Sequence, residues 1–224
     1  MTLITHLNLL QGTDAWMDQR RGLVTASVVG RLITPKTIAP ASNPESRSLT
    51  VVLAAERITG WTEPTYLSDD MLRGMDDEPR AREKYGEHYA PVTECGFMTE
   101  DRWGFKIGYS PDGLVGDDGL IEVKSRRSKT QLTTILDDHP PIENMAQLQC
   151  GLLISGRAWI DYVSYCGGMP LWVKRVHPQE KWFDAITEAV DQFEKNVAEM
   201  IRLYGDSITG LHPTERTLEL EIVI

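Results

Sequence analysis

Two acidic residues and a lysine form the group in this sequence that is best suited to chemistry. Asp112 is separated by nine residues from Glu122, and Lys124 lies two positions further on. In a β-strand, Glu122 and Lys124 point to the same face, whereas Val123 points to the other. The turn signal Asp117-Asp118-Gly119 predicts a hairpin that brings Asp112 beside Glu122. We therefore expect two carboxylates and one amine to converge at the ends of neighbouring strands.

Two carboxylates and an amine are the groups that hydrolysis of a phosphodiester requires. Carboxylate oxygens are the ligands that Mg²⁺ prefers, and the bound metal activates water and neutralises charge on the phosphate. A lysine beside them positions or deprotonates the water, or stabilises charge. Glu122 lies between the apolar residues Ile121 and Val123, where burying a carboxylate is costly unless it is paired or binds a metal. The alternative is a surface salt bridge between Glu122 and Lys124, and the spacing alone leaves both interpretations open.

Composition and charge limit the class of protein. The chain has 224 residues, of which 41% are hydrophobic and 25% are charged, and we expect one globular domain over residues 1–224. No apolar run is long enough to cross a bilayer, and no secretory signal or cysteine framework is visible, so a cytoplasmic location is expected. The net charge of −10 argues against a DNA-binding protein, unless metal-bound carboxylates and a basic groove accompany an acidic exterior.

The hydrophobic pattern predicts an α/β fold in which helices flank a central mixed β-sheet. Helices are predicted over residues 14–20, 26–32, 49–58, 68–89, 143–154 and 178–204. Strands are predicted over residues 92–98, 104–109, 113–115, 120–123, 159–165, 171–176 and 218–224. We expect Thr25 to cap the second helix and Pro79 to kink or restart the fourth. Residues 34–47 are predicted to form an exposed, mobile loop, and residues 205–224 a C-terminal tail.

The segment that contains Pro111-Asp112 and Glu122-Val123-Lys124 resembles the PD-(D/E)xK nucleases, and among them the viral recombinases of the phage lambda exonuclease type. The likeness extends over four blocks that cover much of residues 14–155. It implies a restriction-endonuclease-like core. It also implies a Mg²⁺ site, with Mn²⁺ as a substitute, made by Asp112, Glu122, the backbone carbonyl of Val123, and Glu78.

The first block consists of Ala15-Trp16 and the run from Arg20 to Ser27. The resemblance implies that Arg20 and Ser27 bind the 5′-phosphate of the strand being digested. An arginine fork and a hydroxyl near a helix N-terminus suit a phosphate, although a surface arginine and a capping serine are the simpler interpretation. Arg21 remains a second candidate for the phosphate ligand, and Trp16 is a candidate for contact with DNA.

The second block surrounds Glu78. In this family a Gly stands four residues before the metal-site acid, so Gly74 selects Glu78 from three consecutive acids. The alternative is an acidic helix start that complements the helix dipole. The resemblance also implies an apolar wedge that separates the DNA strands, for which Met71 or Leu72 is the candidate, unless either belongs to the core.

The remaining blocks supply polar and basic residues. In the relatives, the second glutamine of the motif at Gln147 and Gln149 reaches the active site, so the resemblance assigns Gln149 to it. Positions i and i+2 diverge on a helix, and we expect the other glutamine to point elsewhere or both to form a polar stripe. After the motif, Arg126, with Arg127 and Lys129, is a candidate for contacts with DNA phosphates, or belongs to a solvated basic loop.

The resemblance implies a Mg²⁺-dependent 5′-to-3′ exonuclease that digests the 5′-ended strand of linear double-stranded DNA. The 3′ single strand that remains would serve recombination by strand annealing. A homotrimeric ring, a single-strand annealing protein as partner, and a phage or prophage gene in a bacterial host are further implications. Two other functions stay open: a PD-(D/E)xK endonuclease of restriction or repair type, and a non-catalytic protein that binds DNA ends during recombination.

Overall fold

The computed structural model describes residues 3–64 and 66–216 of the chain. Its helices are α1 (Asp14–Arg20), α2 (Ala26–Val29), α3 (Pro44–Thr59), α4 (Asp69–His88), α5 (Ser128–Asp137), α6 (Ile142–Ser155) and α7 (Glu180–Ser207). Its strands are β1 (Ile4–His6), β2 (Val24–Thr25), β3 (Ile33–Thr34), β4 (Ala39–Pro40), β5 (Phe97–Glu100), β6 (Ile107–Tyr109), β7 (Gly113–Val115), β8 (Gly119–Ser125), β9 (Trp159–Tyr165) and β10 (Trp172–Val176).

These strands form two mixed four-stranded sheets and one short hairpin. The first sheet has the order β1-β5-β6-β2, in which only β2 and β6 are parallel. The second has the order β10-β9-β8-β7, in which only β8 and β9 are parallel. The predicted α/β class with mixed strands flanked by helices is confirmed, although the strands divide between two sheets instead of one.

The hairpin of β7 and β8 has the register that the sequence analysis requires. Gly113 lies opposite Ile121, so Asp112, one residue earlier, lies at the level of Glu122. The predicted turn at 117–119 joins the two strands, and the predicted hairpin of β9 and β10 is also present. The candidate carboxylates therefore come from adjacent strands of one sheet.

Helix α6 lies at the centre of the packing and contacts α2, α7, β5, β6 and β9. Its residues Leu148, Leu152 and Ile154 are buried, and α7 buries Trp182 and Phe193 at helical spacing. Each such side chain contributes about 1.5–3 kcal/mol on burial, so the rotation of α6 about its axis is firmly determined. This rotation decides which polar residues of α6 face β8.

Helix α4 runs without interruption past Pro79, so the predicted fresh helix start is wrong, and the predicted kink stays a prediction. Both halves of the helix are attached to the sheet. Asp77 accepts a hydrogen bond from Ser125 Oγ at 2.6 Å, and the Tyr85 hydroxyl donates to Asp161 at 2.7 Å. Tertiary contacts on either side outweigh the loss of the one backbone hydrogen bond that proline cannot donate.

Residues 34–47 do not form the predicted exposed loop. Strands β3 and β4 pair within this segment, and α3 begins at Pro44. Asn43 and Ser46 form a capping box, in which Asn43 Oδ1 accepts from the Ser46 amide at 2.8 Å and Ser46 Oγ accepts from the Asn43 amide at 3.1 Å. The polar residues that suggested a loop are those that start the helix.

Other boundaries differ from the prediction in smaller ways. The predicted helix over 26–32 divides into α2 and a 3₁₀ turn at Gly30–Leu32, and Thr25 makes no side-chain cap. Helix α5 and strand β1 have no counterpart in the sequence analysis. Helix α7 continues three residues into the predicted tail, and the predicted strand over 218–224 lies outside the described residues. No helix within residues 3–64 and 66–216 has the length and apolarity to cross a membrane.

Gly151 of α6 is required by close packing against Tyr109 of β6. A Cβ atom at Gly151 would lie 2.8 Å from Cζ of the buried Tyr109 ring. We expect Gly151→Ala to destabilise the fold by about 1–3 kcal/mol. The matched control is Gly205→Ala in α7, where no atom lies within 4 Å, and it should stabilise by up to about 1 kcal/mol. Denaturant unfolding measures both, and shifts of the same sign would contradict this packing.

Candidate active site

The β7–β8 hairpin brings the two motif carboxylates together. Asp112 Oδ2 accepts a hydrogen bond from the Val123 amide at 2.6 Å, and Glu122 Oε1 accepts from Lys124 Nζ at 2.8 Å. Glu122 is only 2% exposed, which excludes a surface salt bridge. Burial raises the pKa of Asp112 well above its usual range, and the neighbouring charges of Glu122 and Glu78 add to this increase. The site therefore holds more negative charge than its own cations neutralise.

Lys124 is held from two sides. Its ammonium group donates to Glu122 and to Gln147 Oε1, the latter at 2.9 Å, and the Gln147 amide also donates to Glu122. Burial lowers the pKa of Lys124, but the carboxylates of Glu122 and Asp112 outweigh burial and raise it above its usual range. Lys124 carries its proton in this arrangement, so it is suited to stabilise negative charge.

The prediction that Gln149 reaches the active site is wrong. Gln149 is fully buried, its amide nitrogen donates to the His177 carbonyl at 2.9 Å, and its oxygen accepts from the Gln179 amide at 2.8 Å. It connects α6 to the segment before α7. Gln147, two residues earlier and on a different face of the helix, takes the position beside Lys124.

Of the three consecutive acids on α4, Glu78 is the one that interacts electrostatically with the motif. Burial raises its pKa, the hydrogen-bonded Arg82 opposes this, and the charge of Glu122 raises it further. Asp77 instead binds Ser125 and attaches α4 to β8, and Asp76 is exposed. The structure thus places Glu78 with the motif carboxylates, as the Gly74 register implies.

The donor chemistry of the site fits a hard divalent cation. Asp112 forms no ion pair within the described residues, and its Oδ1 atom makes no hydrogen bond there. A cation beside Asp112 would relieve the charge that raises its pKa. Glu122, Glu78 and the carbonyl of Val123 are the other oxygen donors at this place. In residues 3–64 and 66–216, however, no three Asp, Glu, His or Cys side chains form a ready metal cluster.

A second polar pocket surrounds the guanidinium of Arg20. Its Nη1 donates to Ser110 Oγ at 3.2 Å, and its Nη2 donates to Ser27 Oγ at 3.3 Å and to Thr25 Oγ1 at 3.4 Å. The ring of Trp16 covers it at 4.1 Å and donates through Nε1 to Ser110. Burial lowers the pKa of Arg20 to about 10. A largely desolvated cation with neutral hydroxyls as partners is a site for an anion.

The structure separates the two neighbouring arginines. Arg21 makes no hydrogen bond to the hydroxyls around Arg20 and forms an ion pair with Asp18 at 2.6 Å. Arg20 has no carboxylate within ion-pair distance in the described part of the chain. Arg20 is therefore the residue of this pair that is available to an anion.

The backbone after Arg20 is clamped by α3. The Gly22 amide donates to Glu56 Oε2, and the Gly22 carbonyl accepts from Arg57 Nε, both at 2.7 Å. Gly22 has a φ angle of +68°, and a Cβ atom there would lie 2.5 Å from Arg57 Cγ. Arg57 also forms a bidentate ion pair with Glu194 of α7. The position of Arg20 is thus linked to two long helices.

A cavity of about 1000 Å³ joins the two polar regions. Its lining includes Trp16 and Arg20 from the first region and Glu78 and Asp112 from the second. Met71, the predicted wedge residue, also lines the cavity and is 46% exposed. An anion at Arg20 and a substrate at the carboxylates would therefore occupy one continuous space.

Arg126 does not lie in a solvated loop. Its Nη2 donates to Asn144 Oδ1 at 2.6 Å and also to the Tyr162 hydroxyl. Arg127, in contrast, is exposed and paired with Asp70, and α5 begins directly afterwards. The basic residues after the motif thus have different surroundings, and Arg126 is the one held against α6.

In addition to Gln147, three residues at these sites were not predicted from the sequence. Ser110 and Thr25 belong to the Arg20 pocket, and the buried Tyr109 hydroxyl donates to Glu122 Oε2 at 3.4 Å. Tyr109 and Ser110 directly precede Pro111-Asp112, so their position next to the motif was a usable signal. For Thr25, the signal was its place two residues before Ser27.

A mixed α/β fold whose β-hairpin presents two carboxylates and a lysine defines the class of PD-(D/E)xK-like nuclease folds. Residues 15–158 match the YqaJ-like viral recombinase domain, and the chain belongs to that family. The resemblance to viral recombinases is thereby confirmed.

Solved structures agree with this assignment. The alkaline exonuclease LHK-Exo from Laribacter hongkongensis is 31% identical, with a TM-score of 0.79 over 89% of this chain and 100% of that chain. The same enzyme in complex with dAMP matches equally well. A phage-related exonuclease from Haemophilus somnus 129PT has a TM-score of 0.60 at 12% identity, over 81% of this chain and 96% of that one, and shares the fold. No curated protein sequence matches the chain significantly.

The raised pKa of Asp112 has a consequence for stability. The folded state binds the proton of Asp112 more tightly than the unfolded state does, so stability is lost as pH rises from about 4 through the raised pKa. In EDTA at pH 7 to 8, we expect Asp112→Asn to raise the free energy of unfolding by at least about 1 kcal/mol.

A matched control for this substitution is Asp70→Asn. Hydrogen bonds from Arg73 and Arg127 lower the pKa of Asp70, so removing its charge should not stabilise the protein. Thermal and denaturant unfolding at pH 5 and pH 8 measure both variants. The interpretation of the site fails if Asp112→Asn is no more stable than the wild type at pH 8.

Proposed function

We propose that the protein is a Mg²⁺-dependent 5′-to-3′ exonuclease that digests the 5′-ended strand of linear double-stranded DNA. The 3′ single strand left behind would enter recombination by strand annealing. Membership of a viral recombinase family and similarity to an alkaline exonuclease support a DNA exonuclease role. The observation that carries the finer proposal is the single cavity that joins the Arg20 pocket to Asp112 and Glu78.

The Arg20 pocket is the basis for the direction of digestion. A terminal 5′-phosphate carries more charge than an internal phosphodiester, and it suits a guanidinium surrounded by the hydroxyls of Ser27, Thr25 and Ser110. An enzyme that anchors this group beside its carboxylates acts at 5′ ends. The Laribacter exonuclease was solved with dAMP, and a nucleoside monophosphate is the product class that we expect here.

When bound, Mg²⁺ supplies Lewis acidity that activates water and neutralises charge on the phosphate. Asp112, Glu122, the Val123 carbonyl and Glu78 are the residues that would hold it, and Mn²⁺ is the expected substitute. Water attacks the phosphorus of the second nucleotide and the bond to the 3′-oxygen of the first breaks. The released nucleotide keeps its 5′-phosphate, and the shortened strand acquires a new one.

The side chains of the chain have separate tasks in this step. Lys124, with its proton, stabilises negative charge on the phosphate oxygens, and Gln147 keeps Lys124 and Glu122 oriented. Arg20 anchors the terminal phosphate while Trp16 covers the guanidinium. Because each cleavage creates a new 5′-phosphate, the product strand is again a ligand for the same pocket.

Strand separation and assembly complete the proposal. Met71, exposed at the cavity, would separate the terminal base pair as an apolar wedge. A homotrimeric ring around DNA and a single-strand annealing partner are further parts of the proposal, and they rest on the family resemblance. The mass of the protein in solution, measured by light scattering, tests the trimer.

Digestion of defined DNA ends tests the proposed function. We expect linear duplexes with 5′-phosphates to be digested in Mg²⁺ and to be stable in EDTA. Duplexes with 5′-hydroxyls should be digested at least about tenfold more slowly, because they lack the charge that Arg20 binds. Closed circles should remain intact. Cutting of circles would favour an endonuclease, and absence of any cleavage would favour a non-catalytic end-binding protein.

The variants Arg20→Gln and Ser27→Ala should reduce the preference for 5′-phosphate ends. Arg21→Gln is the matched control, since Arg21 pairs with Asp18 and should leave the preference unchanged. Digestion of both kinds of end at equal rates by the wild type would remove the role proposed for Arg20 and Ser27.

The two glutamines of α6 should respond differently to substitution. Gln147→Ala removes the contact that orients Lys124, so we expect cleavage to slow at least about tenfold with little change in stability. Gln149→Ala leaves the buried His177 carbonyl and Gln179 amide without partners, which should cost about 1–3 kcal/mol of stability. Single-turnover cleavage rates and denaturant unfolding measure both effects, and slower cleavage by the Gln149 variant alone would contradict the assignment.

A further inference from the structure

We propose that Arg126 binds a backbone phosphate of DNA next to the phosphate that is cleaved, and that Asn144 and Tyr162 hold its guanidinium in position for this contact. The inference rests on the proposed function as a DNA exonuclease. It adds a second anion site to the one at Arg20. Along the chain, Arg126 lies two residues after the catalytic lysine, Lys124.

The place of Arg126 follows from the alternation of side chains along β8. Glu122 and Lys124 point to one face, and Arg126 continues that series directly after the strand. Its amide donates to the Tyr165 carbonyl at 2.7 Å, so the pairing with β9 continues through this residue. The backbone positions of Lys124 and Arg126 are about 7 Å apart, which is the order of one nucleotide step.

Helix α6 contacts the cationic side chains of Lys124 and Arg126 through one of its faces. Asn144 and Gln147 are three residues apart and therefore share a helix face. Gln147 accepts a hydrogen bond from Lys124 at 2.9 Å, and Asn144 accepts one from Arg126 at 2.6 Å. The ammonium and the guanidinium thus lie side by side between β8 and α6, and a ligand that contacts one is close to the other.

The guanidinium of Arg126 is partly desolvated without a counter-ion. It forms no ion pair within residues 3–64 and 66–216, and its Nε atom is buried without a hydrogen-bond partner. Its two partners, Asn144 and the Tyr162 hydroxyl, are both neutral. Withdrawing a cation from water without an anion is unfavourable, so the arrangement is suited to receive one.

Two arginines that connect elements of the fold have carboxylate partners. Arg57 pairs with Glu194 at 2.6 Å, and Arg175 pairs with the buried Asp161 at 2.8 Å. Arg126 therefore differs from the arginines that stabilise the fold.

Across the described residues, the arginines that lack a carboxylate partner are few. Arg47 is exposed, and Arg157 donates to the carbonyls of a turn at β8. The other two are Arg20 and Arg126, and both lie beside the motif carboxylates or their lysine. In a chain of net charge −10, each of these two sites offers a phosphate a partly desolvated guanidinium without a carboxylate partner in the described residues. Because the ligand is a backbone phosphate, the contact is independent of base sequence.

The test compares DNA binding by Arg126 variants. Arg126→Gln keeps an N–H donor for Asn144 and Tyr162 but removes the charge. Arg126→Lys keeps the charge but lacks the planar guanidinium with its several N–H donors. The matched control is Arg202→Gln in α7, which removes a cation paired with Glu199 and Asp206. Binding to a linear duplex with 5′-phosphates is measured by fluorescence anisotropy, with Ca²⁺ in place of Mg²⁺ and at several KCl concentrations.

We expect Arg126→Gln to weaken binding by about tenfold and to reduce the slope of log K against log salt by about one, because one phosphate contact is lost. Arg126→Lys should keep the slope and bind with intermediate affinity. Arg202→Gln should change neither quantity.

Three outcomes would overturn the proposal in distinguishable ways. If Arg126→Gln keeps the wild-type slope and affinity, or loses thermal stability while the slope stays the same, Arg126 has a structural role only. If Arg126→Gln does not fold, the test depends on Arg126→Lys. If this variant binds DNA as tightly as the wild type, the guanidinium of Arg126 is not needed for binding. If the wild type binds no linear DNA, the proposed function itself fails, whatever the variants do.

Discussion

The crowding of carboxylates at the β7–β8 hairpin is the interaction on which the rest of the structure depends. Asp112 and Glu122 occupy one buried site, where the Val123 amide donates a hydrogen bond to Asp112, and the Lys124 ammonium and the Gln147 amide donate to Glu122. Burial raises the pKa of Asp112, and repulsion from the charges of Glu122 and Glu78 raises it further. Contacts elsewhere in the fold must hold the carboxylates in place. The buried apolar face of α6, packed against both sheets and α7, provides that support. A divalent cation at the proposed site would relieve this repulsion, and its binding would then be coupled to folding.

The fold separates negative and positive groups within one cavity. Asp112 and Glu78 line it together with the guanidinium of Arg20, which is surrounded by hydroxyls and covered by Trp16. Within the described residues, Arg20 has no carboxylate at ion-pair distance, although the charge of Glu56 acts on it from further away. A substrate that carries phosphates and brings a metal ion would satisfy both kinds of group at once. The clamp of Gly22 by α3 holds the backbone next to Arg20, which would suit the proposed cleavage at a fixed distance from a terminal phosphate.

Local rules in the sequence were enough to predict the hairpin and the side chains that it brings together. The two-residue period of a strand and the Asp-Gly turn place Asp112, Glu122 and Lys124 together, and both depend only on neighbours in the chain. Gln147 could not be separated from Gln149 in this way. Helical periodicity indicates that they diverge, but the rotation of α6 is determined by packing against several distant elements. The same limit applies to α4, whose continuity past Pro79 depends on contacts with β8 and β9, and to residues 34–47, where helix caps and loops use the same polar residues.

Net charge is a poor guide to what this protein binds, and the reason is the pairing of its charged residues. A net charge of −10 averages over many surface arginines and lysines whose charge is already neutralised by a neighbouring carboxylate. Paired surface charges contribute little to the field that a ligand experiences at close range, whereas an unpaired, partly desolvated guanidinium contributes strongly. The relevant quantity for an anionic substrate is therefore the set of cations without partners. Arg20 and Arg126 belong to that set, and both lie next to the proposed catalytic residues, so an acidic protein can still offer phosphate-binding groups at its candidate active site.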